Sequence, residues 1–208
     1  MLVHPWDAAQ SDDEWKVWLA AGRDFGTLVA TGWGRELPVV VPTHFVYDGD
    51  ATVLLHLARP NPVWRAVEEN PNVVLSVIDD VSYVPAAWKA IGDEDPAAGI
   101  PTSYYAAVLL TCTAEVLTGE ALLEVLRTQL AHFEPGSGVA DPSVHARKLP
   151  GIRGLRLSVT GVSAKFKYGG NLDDAHRSHI ASELASRGGP GDAASRAHLL
   201  RRTPPALT

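Results

Sequence analysis

In "TVLLHLARPNPVW", residues 52–64, a histidine stands where an apolar strand should carry another leucine. Strand alternation puts His56 on one face with Leu54 and Ala58. An imidazole in that position can ligate a metal, exchange a proton near neutral pH, or bridge two hydrogen-bonding groups. Arg59 follows, with a guanidinium suited to a carboxylate or a phosphate. Asn61, between two prolines, and Trp64 complete the string. Taken singly, a strand histidine is most often a satisfied structural residue and a tryptophan most often core. The string therefore has to be judged with the rest of the chain.

Other reactive side chains offer less. His176 and His179 lie three apart on a helical stretch, a metal-ligand spacing. With no third ligand nearby, they read as a solvated helix face. Cys112 is the only cysteine; it lies in an apolar strand and reads as a small core residue. A disulfide framework and a cysteine-based zinc site are excluded. No dinucleotide-binding glycine fingerprint, P-loop, H-E-x-x-H or G-x-S-x-G motif is present. Self-contained chemistry is not written in these residues, so a cofactor is expected to supply it.

The elements that must position these residues are mostly strands. Ser11 with Glu14 makes a capping box before "EWKVWLAAG", predicting a short helix that ends near Gly22. "FGTLVAT" reads as a strand and "ELPVVVPTHFVYD" as a second, on a sheet edge because of Pro38 and Pro42. "DGD" at 48–50 is a hairpin turn into "ATVLLHLA". A short helix is expected over 62–69, with Pro62 near its start. "NVVLSVID" and "SYVP" read as separate strands, and 86–101 as a loop. "TSYYAAVLLTCTAEVLT" is a long strand, 119–133 a helix, and "IRGLRLSVTGVSAKFKYG" a half-buried strand. A polar helix follows, "NLDDAHRSHIASELASRG". The count is about six strands, which points to a small barrel with helices at its ends.

The chain has 208 residues, 46% hydrophobic and 20% charged, which suits one cofactor-binding domain over 1–187. Residues 188–208 are expected to be a tail or a short docked helix. Net charge is −6, yet residues 145–208 hold 11 of the 18 Lys+Arg and 4 of the 24 Asp+Glu. That basic third either receives an anionic group or neutralises the acidic remainder. The overall acidic balance argues against a nucleic-acid partner. No apolar run approaches the ~20 residues of a membrane span, and "MLVHPWDAAQSDDEW" lacks the features of a leader. No membrane association and a cytoplasmic location are expected.

At "HLARPNPVW" the chain resembles the G-H-x-x-R-x-N-P-x-W signature of PaiB-like proteins, a branch of the FMN-binding split barrels. "VPTHFV" is similar to that family's T-H-L-P strand, "SYVPAAW" to its Y-I-S-P-x-W, and "IPTSYYAAV" to its V-P-T-W-N-Y-x-A-V. "PGIRGLRLSVTGVSAKFKYGGN" resembles G-I-x-G-x-x-x-x-V ending in K-L-S-Q-N. The resemblance runs over nearly the whole chain. It implies a mainly β (α+β) fold, a six-stranded antiparallel split β-barrel with peripheral helices, and a homodimer with cofactor pockets at the subunit interface.

Family members bind FMN, some as negative transcriptional regulators, or bind haem b, as the piperazate synthases do. The latter join two nitrogens of an N-hydroxylated amino acid, and their axial histidine corresponds to His56. The chain departs from the pattern at Ser103-Tyr104 (Trp-Asn in the family), Gly169-Gly170 (Ser-Gln) and Val63 (usually polar). Each swap thins the polar contacts a flavin would use. Haem asks for one axial ligand, apolar walls and a cation for its propionates.

The resemblance thus implies haem b, with FMN as the alternative, and His56 as the metal ligand. His44, Ala58, Arg59, Asn61, Trp64, Val84 and Lys165 are the further cofactor-binding expectations. In the haem reading Tyr104 or Tyr105 donates a proton, and Lys165 or Lys167 holds the carboxylate of a small amino-acid-derived substrate; Tyr104, Tyr105 and Lys167 are the expected catalytic residues. A flavin oxidoreductase, or a regulatory protein that kept the barrel and lost its cofactor, are the other readings.

Overall fold

A computed structural model of the chain describes residues 1–202. Seven strands form one sheet in the order β2-β1-β5-β6-β7-β4-β3. They are β1 (Phe25–Ala30), β2 (Val39–His44), β3 (Val46–Tyr47), β4 (Thr52–Ala58), β5 (Asn72–Val84), β6 (Thr102–Leu117) and β7 (Ile152–Lys167). Five α-helices accompany them: α1 (Glu14–Ala20), α2 (Val63–Glu69), α3 (Gly119–Phe133), α4 (Asp174–Arg187) and α5 (Asp192–Arg201). The antiparallel sheet with peripheral helices matches the expected class, with seven strands in an open order in place of six. The extra strand is the two-residue β3, cut from β2 at Phe45, whose amide donates to Asp24 O (2.8 Å). None of the helices among the described residues is long and apolar enough to cross a membrane.

The chain forms two compact units. Unit 2 comprises Asp13–Val77 and Leu109–Val162; unit 1 comprises Met1–Asp12, Ile78–Val108 and the chain from Ser163 onward.

In unit 2, β2 is the sheet edge, which tolerates Pro42 within it. Asp48 Oδ1 accepts from the amides of Asp50, Ala51 and Thr52, closing the hairpin before β4. β4 pairs antiparallel with β7, and His56 lies opposite Gly154. Helix α1 starts without a side-chain cap, because Asp13 at the N-cap is itself helical; the Ser11–Glu14 box does not form.

The reading of 72–79 and 82–85 as two separate strands is corrected. β5 is continuous, but its buried residues switch from Val73, Leu75 and Val77 to Asp80, Ser82 and Val84. That change of parity needs one extra residue, the signature of a β-bulge, and Asp80 supplies it at φ 56°. Asparagine and aspartate tolerate this left-handed region better than other side-chain-bearing residues. The bulge is held from α5 and from Tyr168, the residue after β7. Ser195 Oγ and Tyr168 Oη donate to Asp80 O (2.9 and 3.1 Å), and His198 Nε2 meets Asp80 Oδ2 at 2.9 Å. Helix α5 buries Ser195, His198 and Leu199. Residues 203–208 of the expected tail lie outside the described residues.

Candidate functional site

His56 lines a cavity of about 650 Å³ in unit 2. Its cross-strand neighbour Gly154 has no side chain, and a Cβ there would lie 3.3–3.5 Å from Leu117, Val125 and Leu122. The missing methyl lets α3 come down onto the sheet beside the imidazole. α3 buries Leu122, Val125 and Gln129 along one face. Gln129 is the polar member of that stripe, and its Oε1 lies 2.6 Å from His56 Nδ1. An amide oxygen can only accept, so Nδ1 is the donor in this contact and Nε2 is left facing away from it.

The other walls are Leu126, Leu130 and Phe133 of α3, and the segment from Val139 to Ile152, which adds His145 and Lys148. Arg127 ties that segment to α3, donating to Asp141 (Nε–Oδ2 2.7 Å) and to Glu120 (2.8 Å). Arg127 and the amide of Ser143 hold the Asp141 carboxyl well below its usual range. His44 also lines the cavity, edge-on to Phe133 with ring centroids 5.1 Å apart.

The rest of the string does other work. Trp64 is buried, and its indole donates to Ala58 O (2.8 Å), fastening the turn after β4. Asn61 Oδ1 accepts from Val63 N (3.0 Å) at the start of α2. Ala58 is exposed. Arg59 donates to Pro150 O (3.3 Å) and lines a second, smaller cavity of about 380 Å³, which shares Leu149 and Ile152 with the first. Of the expected residues in unit 2, His56 and His44 share the main cavity; Ala58, Arg59, Asn61 and Trp64 do not line it.

Val84, Tyr104, Tyr105, Lys165 and Lys167 belong to unit 1. Val84 is fully buried. Tyr104, Lys165 and Lys167 line a cavity of about 650 Å³, joined by Lys89, Thr102 and His176. Lys165 is buried, donates to Leu2 O (3.0 Å) and lies 3.7 Å from Asp7, whose carboxyl is pushed up by burial against the pull of Lys165. Lys167 donates to Thr102 Oγ1 (2.8 Å). The Tyr105 ring lies 5.8 Å from both ammonium groups. Burial, then the nearby Lys167, lowers the Lys89 ammonium below its ordinary value. His176 bonds Asp173 (2.8 Å) and Glu94 (3.1 Å). Cys112 is fully buried, and burial pushes its thiol up to about 11.

Gln129, His145, Lys148 and Lys89 were not singled out from sequence. A glutamine at the buried position of the 122–125–129 helical stripe was the legible signal for the first; nothing in the local pattern marked the others.

Residues 2–161 match the family described as "Putative FMN-binding domain". The chain belongs to that family. It is 25% identical over 173 residues, 80% of this chain and 81% of the other, to the protease synthase and sporulation protein PAI 2 of Bacillus subtilis (strain 168). Among solved structures it is similar to the flavocytochrome Anf3 of Azotobacter vinelandii (TM-score 0.61, 23% identity, covering 81% of this chain and 73% of that one). It is also similar to the FAD and haem binding protein of Mycobacterium smegmatis (TM-score 0.58, 20% identity, covering 84% and 78%). At these identities the two structures establish the split-barrel fold of this family member.

Proposed function

We propose that the His56 cavity would hold haem b, with His56 Nε2 as the nitrogen that would ligate its iron. The observation that carries this reading is the 2.6 Å contact between His56 Nδ1 and Gln129 Oε1. An outer carbonyl acceptor orients a ligating imidazole and makes its free nitrogen a better donor. The other residues fit the group as well. Leu126, Leu130, Phe133 and Ile152 give apolar walls, and Lys148 gives a cationic partner for a propionate.

Within this reading the protein is an enzyme that joins two nitrogens of an N-hydroxylated, amino-acid-derived substrate. This finer assignment is supported by the resemblance of the His56 string to the haem-dependent branch. The N–N bond forms as the N–O bond breaks. The attacking amine gives up a proton and the hydroxyl gains one and leaves as water, so no oxidant or reductant is consumed. Bound haem would supply a Lewis-acidic iron for the N–OH group. The chain's own residues would fix the ring through His56 and exclude bulk water with the α3 wall. A homodimer belongs to the same proposal, checked by sedimentation.

A second reading, FMN, is favoured by the family to which the chain belongs and by the lysines of the unit 1 cavity, which suit a phosphate. The absorption spectrum of the purified protein separates the two. Haem predicts a Soret band that shifts on reduction; FMN predicts a longer-wavelength band with fluorescence. A colourless protein that takes up neither added cofactor contradicts both.

A further inference from the structure

The walls of the His56 cavity are held very unequally. β4 lies between β3 and β7 in the sheet, and α3 buries Leu122, Val125 and Gln129 along one face. The segment 139–148 has far less behind it. Of residues 134–148 only Pro142 is buried, although Val139, Ala140, Pro142, His145 and Lys148 all line the cavity. Among the described residues, its hydrogen bonds close single turns along the chain, with one exception, the contact of Asp141 with Arg127. Few buried contacts and purely local bonding mark a segment that opens by itself, at far less cost than global unfolding.

That exception is a bidentate pair. Arg127 Nε and Nη2 donate to the two Asp141 oxygens (2.7 and 3.3 Å), and Glu120 and Glu124 of α3 also bind the guanidinium. Bidentate, networked pairs are the exposed ion pairs that carry measurable energy. Asp141 Oδ1 also accepts from Ser143 N (2.9 Å), fixing the turn Pro142–His145, whose two end residues reach the cavity. The two ends of the segment differ. Gly136 and Gly138 stand at its start, at φ 72° and 70° with open space around both, so the backbone is free to turn there. Beyond its far end Arg59 fixes the chain, its amide donating to Gly151 O (2.8 Å) and its guanidinium to Pro150 O (3.3 Å).

We infer that residues 139–148 form a gate on the His56 cavity, turning about Gly136 and Gly138 and latched shut by the Arg127–Asp141 pair. Opening the latch frees the turn Pro142–His145 and lifts Val139, Pro142 and Lys148 away, while α3 and β4 keep Gln129 and His56 in place. A large, flat ligand then enters and leaves without disturbing the sheet. The inference rests on the reading that the His56 cavity takes a ligand, and it holds for haem and flavin alike.

The test compares the ligand-free full chain with Asp141→Asn, which keeps an oxygen for Ser143 N and loses the charge that pairs with Arg127. Amide hydrogen exchange over 139–148 should quicken about two- to fivefold, the worth of an exposed ion pair, with the β4 and β6 amides unchanged. Carbethoxylation by diethyl pyrocarbonate, read at each histidine by mass spectrometry, should quicken by the same factor at His56 and not at His4 or His179. Arg127→Met should act in the same direction in both measurements, and haem uptake followed by stopped flow should quicken with them. Unchanged exchange over 139–148 in both variants would overturn the latch. Faster exchange with unchanged modification of His56 would show a segment that moves without gating, and would overturn the gate. A wild type that takes up no haem contradicts the haem reading alone, because the two measurements on ligand-free protein still decide the gate.

Discussion

The two units each enclose a cavity of about 650 Å³, and the two differ in almost every other respect. In unit 2 the His56–Gln129 pair sits among leucines, isoleucine and phenylalanine from α3 and the 139–152 segment, with His44, Glu134, His145 and Lys148 also on the walls. In unit 1, three lysines, Asp7, Asp173 and a phenol crowd the cavity. The first is suited to a large, flat, apolar group held at one nitrogen. The second is suited to the charged end of something small. Equal volume thus says little about occupancy, and the lining chemistry decides it. The family's histidine string serves only the first cavity, and with a single side chain.

The comparison can be broken at several points. The largest effect is expected from Trp64→Ala. If the string beyond His56 is scaffold, this change should cost about 3–5 kcal/mol of stability in denaturant titration, as for other buried tryptophans. The folded fraction should still bind cofactor with unchanged affinity; a selective loss of binding would return Trp64 to the cavity wall.

The next concerns the framework of unit 1. Asp192 is buried against Arg187, with further bonds from Ser82 and Gly189 N, and these hold its carboxyl down to about 2. A depressed carboxylate contributes stability that is complete above its unfolded value near 4 and is lost as pH falls through about 2. On the order of 2 kcal/mol should therefore disappear over that acid range. Asp192→Asn should remove it at neutral pH and flatten the acid limb of the stability curve. An unchanged limb would show that the pair contributes nothing.

A smaller effect is expected for Gln129→Leu, which takes away the acceptor on His56 Nδ1 but keeps the helix face buried. Haem affinity should drop about 10–100-fold, the usual cost of losing an outer-shell partner. Stopped-flow haem transfer to an acceptor globin would measure it. No change in the off-rate would separate Gln129 from the cofactor.

Much of the fold was legible because its signals are local. The boundaries of α2, α3, β4 and β6 follow from proline punctuation and periodicity. The continuous β5 was not legible, since Asp79-Asp80 reads as a turn when taken alone. What keeps the strand running through a left-handed residue is Tyr168, Ser195 and His198, more than 80 positions away in sequence. The candidate site divides in the same way. His56 was conspicuous as a polar residue in an apolar strand. Gln129 was hidden in a helix that reads correctly without it, 73 residues from its partner. Tyr104 and Gly169 were visible as two separate departures from a pattern; only the fold brings the hydroxyl against the bare Cα.

The most direct test of the account is a haem titration of apo-protein comparing wild type, His56→Ala and His44→Ala. The account predicts saturation at one haem per chain for wild type and for His44→Ala, with a Soret band characteristic of histidine ligation. His56→Ala should lose that band, and added imidazole should restore it by entering the vacated position. If His56→Ala binds haem with wild-type affinity and an unshifted band, His56 is not the ligand and the central claim fails.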